Sequence, residues 1–182
     1  MSTDLILRRP REDEEEELLR AHRATSPGYP TFLHYYEEGM DFRRYLEVLG
    51  EQERGVHLPA SHYVPTTFLF AFAGPRIVGR VSIRHRLNDA LEKHGGHLGY
   101  VVVPEFRRRG YATRVLAMAV RLARERLGLS RVLLTVADDN AASIRVIEKN
   151  DGVFESAATF EDSGRVIRRY WIDTLHSTSD GE

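Results

Sequence analysis

The segment HLGYVVVPEFRRRGYAT, residues 97–113, decides the fold of this chain. Residues 98–103 are rich in β-forming side chains and too few for a helix, and Pro104 ends the run. From Gly110 onward apolar residues recur at helical spacing until Gly128, a typical helix-ending residue. The segment is therefore predicted to form a strand, a basic turn and a long helix that ends at about residue 127.

The turn between this strand and this helix is suited to bind an anion. It places Arg107, Arg108 and Arg109 directly before Gly110, where the new helix begins. The first N–H groups of a helix have no partner within it and carry a partial positive charge, so they attract phosphate. Glycine lets phosphate oxygens approach the backbone, and arginine pairs with phosphate through two parallel hydrogen bonds. The pattern predicts a phosphate-binding loop.

A second polar segment, DDNAASIRVIEKNDG, follows at residues 138–152. With this segment downstream, the motif Arg107-x-x-Gly110-x-Ala112 between a strand and a helix resembles the acetyl-CoA pyrophosphate loop of the Gcn5-related N-acetyltransferase (GNAT) superfamily. The resemblance implies an α/β (α+β) GNAT acyl-CoA N-acyltransferase fold, with a central mixed sheet flanked by helices. Three shorter motifs are similar to a bacterial subgroup of predicted acetyltransferases of unknown substrate: Arg84-His85-x-Leu-Asn88, Gly95-Gly-His97-x-Gly-Tyr100 and Arg169-Tyr-Trp171.

The rest of the chain agrees with that fold. Apolar runs predict further strands at residues 5–7, 66–72, 77–83, 131–136, 153–160 and 166–172. Helical spacing predicts helices at residues 11–24, 32–54 and 140–150, with one helical turn between residues 84 and 96. Connections are predicted at residues 26–30, 55–65 and 162–164. The 182 residues fit a single N-acetyltransferase domain over residues 1–175, followed by a flexible tail at residues 176–182.

Composition narrows the class of function. Lys and Arg number 26 against 27 Asp and Glu, so the chain lacks the basic excess of a nucleic-acid binder. The absence of cysteine excludes disulfides, thiolate catalysis and cysteine-based metal sites. No apolar run has the length of a membrane span or of a signal peptide core. We therefore expect a cytoplasmic protein without metal, nucleic-acid or membrane partners.

The resemblance also implies how acetyl-CoA is held as the acyl donor. Its pantetheine arm is expected to enter between two central parallel strands, residues 97–103 and 131–137, and to pair with the backbone of residues 100–103. Asn140 is expected to bond the pantetheine amides, although it is equally suited to cap the helix that begins there. The expected cofactor-binding residues are Val101, Val102, Val103, Arg107, Arg108, Arg109, Gly110, Tyr111, Ala112, Thr113, Asn140 and Ser143.

Two residues are predicted to be catalytic. Backbone N–H groups near Tyr100 are expected to hold the developing oxyanion. His97 is the candidate base because the usual histidine pKa of about 6.5 suits removal of an ammonium proton; alternatively, it only hydrogen-bonds a loop. The family often places a tyrosine acid where this chain has Ile147, so the group that protonates the leaving thiolate stays unassigned. The candidates for the acceptor pocket are His85, Asn88 and Trp171.

The predicted function is an acetyl-CoA-dependent N-acetyltransferase that acts on a primary amine by direct attack, without a covalent enzyme intermediate. The alternative is a non-catalytic acyl-CoA-binding or regulatory module of the same fold, which the isoleucine at position 147 favours. A nucleotide-binding module is disfavoured because the loop lacks the Gly-x-Gly-x-x-Gly and Lys-Ser/Thr patterns. The sequence leaves open the acceptor, a small-molecule or peptide amine, the acyl group, and the oligomeric state, for which a homodimer is one option.

Overall fold

The structure is a computed structural model that describes residues 4–25, 31–160 and 164–175. Its helices are α1 (Glu15–Thr25), α2 (Phe42–Arg54), α3 (Asp89–Lys93), α4 (Tyr111–Leu127) and α5 (Ala141–Glu148). Its strands are β1 (Leu5–Arg8), β2 (Thr66–Ala73), β3 (Arg76–Arg84), β4 (Leu98–Val102), β5 (Arg131–Ala137), β6 (Val153–Thr159) and β7 (Val166–Asp173). The predicted order of elements is confirmed, and α3 is the expected helical turn.

The strands form two antiparallel sheets that are adjacent at β4 and β5. One sheet has the order β1-β2-β3-β4 and the other the order β5-β7-β6. The predicted hairpins, β2 with β3 and β6 with β7, are confirmed. The predicted central sheet is therefore split between β4 and β5, the two strands that α4 connects.

Two apolar clusters cover the two faces of the first sheet. The cluster under α4 and α5 includes Val81 of β3 and Val115 of α4. The cluster under α1 and α2 includes Phe70 of β2, Val101 of β4 and Tyr45 of α2. Because side chains alternate along a strand, neighbouring residues of β3 and β4 belong to opposite faces. This alternation decides which side chains can contact a ligand on each face of the sheet.

The predicted helix over residues 32–54 is shorter than expected. Only Phe42–Arg54 is helical, and Asp41 caps it by accepting a hydrogen bond from the Arg44 N–H at 2.9 Å. Upstream, Tyr35 has φ +65° and Gly39 has φ +83°, values that a right-handed helix excludes. The apolar spacing of residues 32–40 therefore reflects burial of an irregular segment.

Several predictions fall on residues that the structure does not describe. They are the loop at residues 26–30, most of the turn at residues 162–164 and the tail at residues 176–182. Among the residues it does describe, no helix is long and apolar enough to cross a membrane.

Candidate active site

The two sheets are tied together at the start of β4 and in the middle of β5. The His97 N–H donates to the Leu133 carbonyl oxygen at 2.7 Å, and the Leu133 N–H donates to His97 Nδ1 at 2.9 Å. Beyond this junction β4 pairs only with β3 and β5 only with β7 in the described sheets. The strands therefore separate and leave a gap between them.

Backbone groups on both sides of this gap are directed into it. On β4 the His97 carbonyl and the Val103 N–H bond to β3, so by antiparallel alternation Tyr100 and Val102 point away from β3, towards β5. On β5 the same alternation directs Thr135 and Ala137 towards β4. Of the predicted pantetheine-binding stretch, residues 100–103, only Tyr100 and Val102 thus offer backbone groups to the gap. Val101 and Val103 use theirs on β3, which corrects that part of the expectation.

The amino terminus of α4 begins beside the end of β4 and has no side-chain cap. Gly110 occupies the capping position with φ +79°, and the first bond of the helix runs from the Arg114 N–H to the Gly110 carbonyl at 3.2 Å. The N–H groups of residues 111–113 therefore have no partner within the helix. A Cβ added to Gly110 would meet no atom within 4 Å, so the approach to these groups is open. The geometry suits a phosphate.

The three arginines of this loop are exposed and held differently. Arg107 Nε donates to the Val102 carbonyl at 3.1 Å, which fixes its guanidinium at the end of the gap. The Arg109 guanidinium carbon lies 5.7 Å from the centre of the Phe106 ring, within the range of a cation–π contact. Arg108 has φ +60°, an unfavourable value for a side chain with a Cβ, so the loop turns sharply at this residue.

The amino terminus of α5 also lies near β4, because the Tyr100 hydroxyl donates to the Ser143 carbonyl at 3.4 Å. Asn140 caps α5, its Oδ1 accepting a hydrogen bond from the Ser143 N–H at 3.1 Å, while its side-chain NH₂ stays available to a ligand. The capping role of Asn140 and its predicted contact with pantetheine are therefore compatible.

Tyr100 and Ile147 differ in what they offer to acid catalysis. Burial raises the pKa of the Tyr100 hydroxyl, with the bond to Ser143 opposing it, so the group stays protonated in the neutral range. Ile147 is 1% exposed and belongs to the core under α4 and α5. The side chain at position 147 therefore supplies no proton. Tyr100, by contrast, offers a hydroxyl on the same face of the sheet as Ile147.

His97 is placed differently from a general base. Its ring is buried, with its centre 6.2 Å from that of Trp171, and burial together with the charge of Arg84 lowers its pKa to about 4. Because Nδ1 accepts the Leu133 N–H, the neutral ring carries its proton on Nε2. Taking up a further proton would break the junction between the sheets. The geometry thus favours the alternative of a structural hydrogen bond over the predicted role of base.

The three residues predicted to line the acceptor pocket differ in how far their side chains are free to contact an acceptor. His85 Nε2 lies 2.8 Å from Thr67 Oγ1, and Asn88 caps α3 while its side-chain NH₂ donates to the His62 carbonyl. Both side chains thus have structural partners, and their part in acceptor binding stays a prediction. Trp171 donates from Nε1 to Glu155 at 2.8 Å and lies beside His97 at the junction, on the face away from α4 and α5.

Some residues at the gap, and on the second sheet beside it, were not predicted from the sequence. Thr135 Oγ1 accepts a hydrogen bond from the Gly95 N–H at 2.8 Å, which fastens the chain before β4 to β5. Glu155 forms an ion pair with Arg169 at 2.7 Å in addition to its bond with Trp171. Only the position of these residues on neighbouring strands could have singled them out. Within the described ranges no group of histidine and acidic side chains is arranged to hold a metal ion.

Known structures share this fold. The chain is similar to a spermidine N-acetyltransferase SpeG chimera from Vibrio cholerae and hSSAT, with 16% identity, a TM-score of 0.62 and coverage of 94% of this chain and 96% of that chain. It is similar to Mycobacterium smegmatis RimJ in complex with CoA-disulfide (20% identity, TM-score 0.64, coverage 97% and 85%). It is also similar to yncA, a putative acetyltransferase from Salmonella typhimurium with its cofactor acetyl-CoA (15% identity, TM-score 0.59, coverage 98% and 99%).

The split sheet, the uncapped helix α4 and these likenesses define an acyltransferase with the GNAT fold. Residues 29–152 match the model of the acetyltransferase (GNAT) family, and the chain belongs to this family. No curated protein sequence matches the chain.

Proposed function

We propose that this protein is an acetyl-CoA-dependent N-acetyltransferase that acts on a primary amine by direct attack on the thioester. The observation that carries the proposal is the gap between β4 and β5, which leads directly to the open amino terminus of α4. Two of the similar structures contain CoA-disulfide or acetyl-CoA, and one is a spermidine N-acetyltransferase.

The residues present fit acetyl-CoA at this site. The free N–H groups of residues 111–113 and the arginines before them suit the pyrophosphate, because both supply donors and positive charge. The Tyr100 carbonyl on β4 and the backbone groups of Thr135 on β5 are directed into the gap and suit the amides of an extended pantetheine arm. When bound there, acetyl-CoA supplies the acetyl group as a thioester.

The acceptor amine is proposed to approach β4 from the face of the first sheet that α1 and α2 cover, which is opposite to the face that α4 and α5 cover. Gly99 belongs to this face, and a Cβ at this position would meet only Ser82 Oγ, at 3.1 Å, within 4 Å. On this face of β4, Ser82 is therefore the only described residue that comes so close to the point where the thioester carbon is expected. The N–H groups of Tyr100 and Val102 are directed into the gap and are proposed to stabilise the oxyanion that forms during attack.

Two proton movements complete the reaction. We propose that the Tyr100 hydroxyl protonates the leaving thiolate, since it is protonated at neutral pH and lies next to the amino-terminal turn of α5. The lone pair of His97 Nδ1 already accepts the Leu133 N–H. Water on the acceptor face is therefore proposed to carry away the ammonium proton.

A panel of primary amines incubated with acetyl-CoA tests the proposal through amine-dependent release of free thiol. Release that depends on both the amine and the protein supports an N-acetyltransferase. CoA binding without any release across amino acids, diamines, aminoglycosides and peptides would instead favour the non-catalytic acyl-CoA-binding module.

Tyr100→Phe is expected to lower kcat/KM by about 10-fold to 100-fold, because the hydroxyl that protonates the thiolate is lost. The ring, and with it the packing on the sheet, is retained, so CoA affinity measured by calorimetry should change little. Coenzyme A has a thiol pKa near that of cysteine, about 8.5, so the loss should become smaller as the pH rises towards that value. Unchanged rates across this pH range would exclude Tyr100 as the acid.

Arg107→Ala and Arg109→Ala are each expected to weaken CoA binding by about 10-fold and pantetheine binding much less, because pantetheine lacks the pyrophosphate. Arg124→Ala, in the last turn of α4 and far from the loop, is the matched control and should leave the affinities for CoA and pantetheine unchanged. Equal losses for CoA and pantetheine would show that the arginines only support the fold of the loop. Affinities measured by calorimetry at low and high salt distinguish these results.

A further inference from the structure

Arg80 is a buried cation in the middle of the first sheet. It lies on β3, is 1% exposed and is among the largest fully buried side chains. Its cross-strand neighbours are Phe70 on β2 and Val101 on β4, both members of the apolar cluster under α1 and α2. The guanidinium is thus enclosed mainly by hydrocarbon.

Part of the hydrogen-bonding capacity of this guanidinium is unused. Arg80 Nη2 donates to the Thr31 carbonyl at 2.9 Å, whereas Nε has no partner. No carboxylate pairs with Arg80 in the described parts of the chain. Burial lowers the pKa of Arg80 to about 10, with Tyr45 opposing this shift and the charge of Arg84 adding to it, so Arg80 remains a cation at neutral pH.

A buried charge without a counterion is costly. Removing such a group from water carries a penalty of several kcal/mol, which good geometry with an opposite charge can offset. A guanidinium has five N–H donors, and a carboxylate matches two of them in a planar fork. An apolar side chain of similar size would avoid the penalty, so the arginine is more consistent with binding than with packing.

The position of Arg80 connects it to the proposed acceptor site. Arg80 is paired with Val101 and Ser82 is paired with Gly99, and all four residues share one face of the sheet. That is the face on which a Cβ at Gly99 would meet only Ser82 Oγ within 4 Å. Residues two apart along a strand are separated by about 7 Å, so Arg80 is the next residue on this face after Ser82, which is paired with Gly99.

Other charged residues near this face are held by partners within the chain. Arg84, two residues beyond Ser82, donates from Nη1 to the Gly95 and Gly96 carbonyls at 3.1 Å each. In the acidic run before and within α1, Glu14 is paired with Arg8 at 2.6 Å and Glu17 with Arg20 at 2.7 Å. These carboxylates are therefore already neutralised by arginines of the same chain.

We propose that the acceptor is an amine that also bears a carboxylate, and that Arg80 binds this carboxylate during acetyl transfer. The inference rests on the proposed function, since it names the acceptor class of the same site. A compact carboxylate is favoured over a phosphate because the aromatic side chains around Arg80 enclose it closely. The expected acceptor thus differs from the polyamine named for the SpeG structure.

Matched pairs of amines test the acceptor class. Phenylalanine is compared with phenethylamine and lysine with 1,5-diaminopentane, using acetyl-CoA and thiol release. For the wild-type protein we expect kcat/KM to be at least about 10-fold higher for the carboxylated member of a pair. Arg80→Met should remove this preference through a higher KM while CoA affinity stays unchanged. Equal or faster acetylation of the decarboxylated amines by the wild-type protein would overturn the proposal.

Thermal unfolding separates binding from a purely structural role. Without ligand, Arg80→Met should be as stable as the wild-type protein or more stable, because a buried unpaired charge is replaced by an apolar side chain. A markedly lower Tm would show that Arg80 mainly braces the segment at Thr31 and would overturn the proposal. Arg80→Lys keeps the charge without the fork and should retain part of the preference.

Binding in the absence of turnover keeps this test independent of the proposed function. Phenylalanine and lysine alone should raise the Tm of the wild-type protein more than their decarboxylated counterparts do, and should not raise that of Arg80→Met. If no amine is acetylated but this difference is observed, the proposed function fails while the carboxylate site is supported. If amines are acetylated without regard to the carboxylate, the proposed function holds and the role of Arg80 is wrong.

Discussion

Gly110→Asp is expected to weaken CoA binding by at least about 100-fold in a protein that still folds. A side chain at this position meets open space, and aspartate is a good helix cap, so α4 should be retained. Its carboxylate would, however, occupy the free N–H groups of residues 111–113 and repel the pyrophosphate. The measurement is CoA affinity by calorimetry, with circular dichroism to confirm the fold.

Two control variants separate charge from backbone strain. Gly110→Asn has nearly the same size and tolerates the left-handed conformation, so it should weaken CoA binding less than Gly110→Asp. Gly128→Asp introduces the same residue at the other end of α4, where φ is +65° and space is also open. It should reduce stability by about 1 kcal/mol without changing CoA affinity. Near-normal affinity in a folded Gly110→Asp variant would remove the basis for the phosphate loop.

The strand, turn and helix that carry the proposed phosphate loop could be predicted because everything that defines them is local. A strand end, an arginine-rich turn and a glycine before a helical pattern are all contained in residues 97–113, and the structure places each of them accordingly. The order of strands and helices was predictable for the same reason. The start of α2 was less predictable, because burial of the irregular segment at residues 32–41 produces the same apolar spacing as a helix.

The direction of individual groups at the gap depends on pairing between distant strands. Whether Tyr100 or Val101 faces β5 is decided by the register with β3, which the sequence does not contain. Arg80 was overlooked because it lies in a run, residues 77–83, that has the features of an ordinary buried strand. The available signal was the charge itself, since a lone arginine within a buried strand requires a partner.

His97 illustrates the same limit most clearly. Its residue type and position next to the strand predict a base, but its hydrogen-bond partner, Leu133, is 36 residues away in sequence. A base needs a free lone pair, and this one is occupied. We therefore propose that His97 positions β4 against β5 and thereby sets the width of the gap.

His97→Ala is accordingly expected to lower kcat/KM by roughly 100-fold, because the strands that position the thioester lose their junction. The same change should lower CoA affinity and Tm together, since it leaves the buried Leu133 N–H unpaired at a cost of about 1–3 kcal/mol. These losses should be measured on one preparation by thiol release, calorimetry and thermal unfolding. A stable variant with normal CoA affinity and the same loss of kcat/KM would restore the role of base.

His97→Asn provides the matched control because asparagine can place an oxygen near the position of Nδ1 and accept the Leu133 N–H. It cannot act as a base, so near-normal activity in this variant would establish the positioning role. The pH dependence supplies a further distinction. The folded-state pKa of about 4 lies below the usual value of about 6.5, so the stability linked to neutral His97 is complete above pH 6.5 and is lost as the pH falls towards 4. His97→Asn should therefore lose less Tm than the wild-type protein between pH 7 and pH 4.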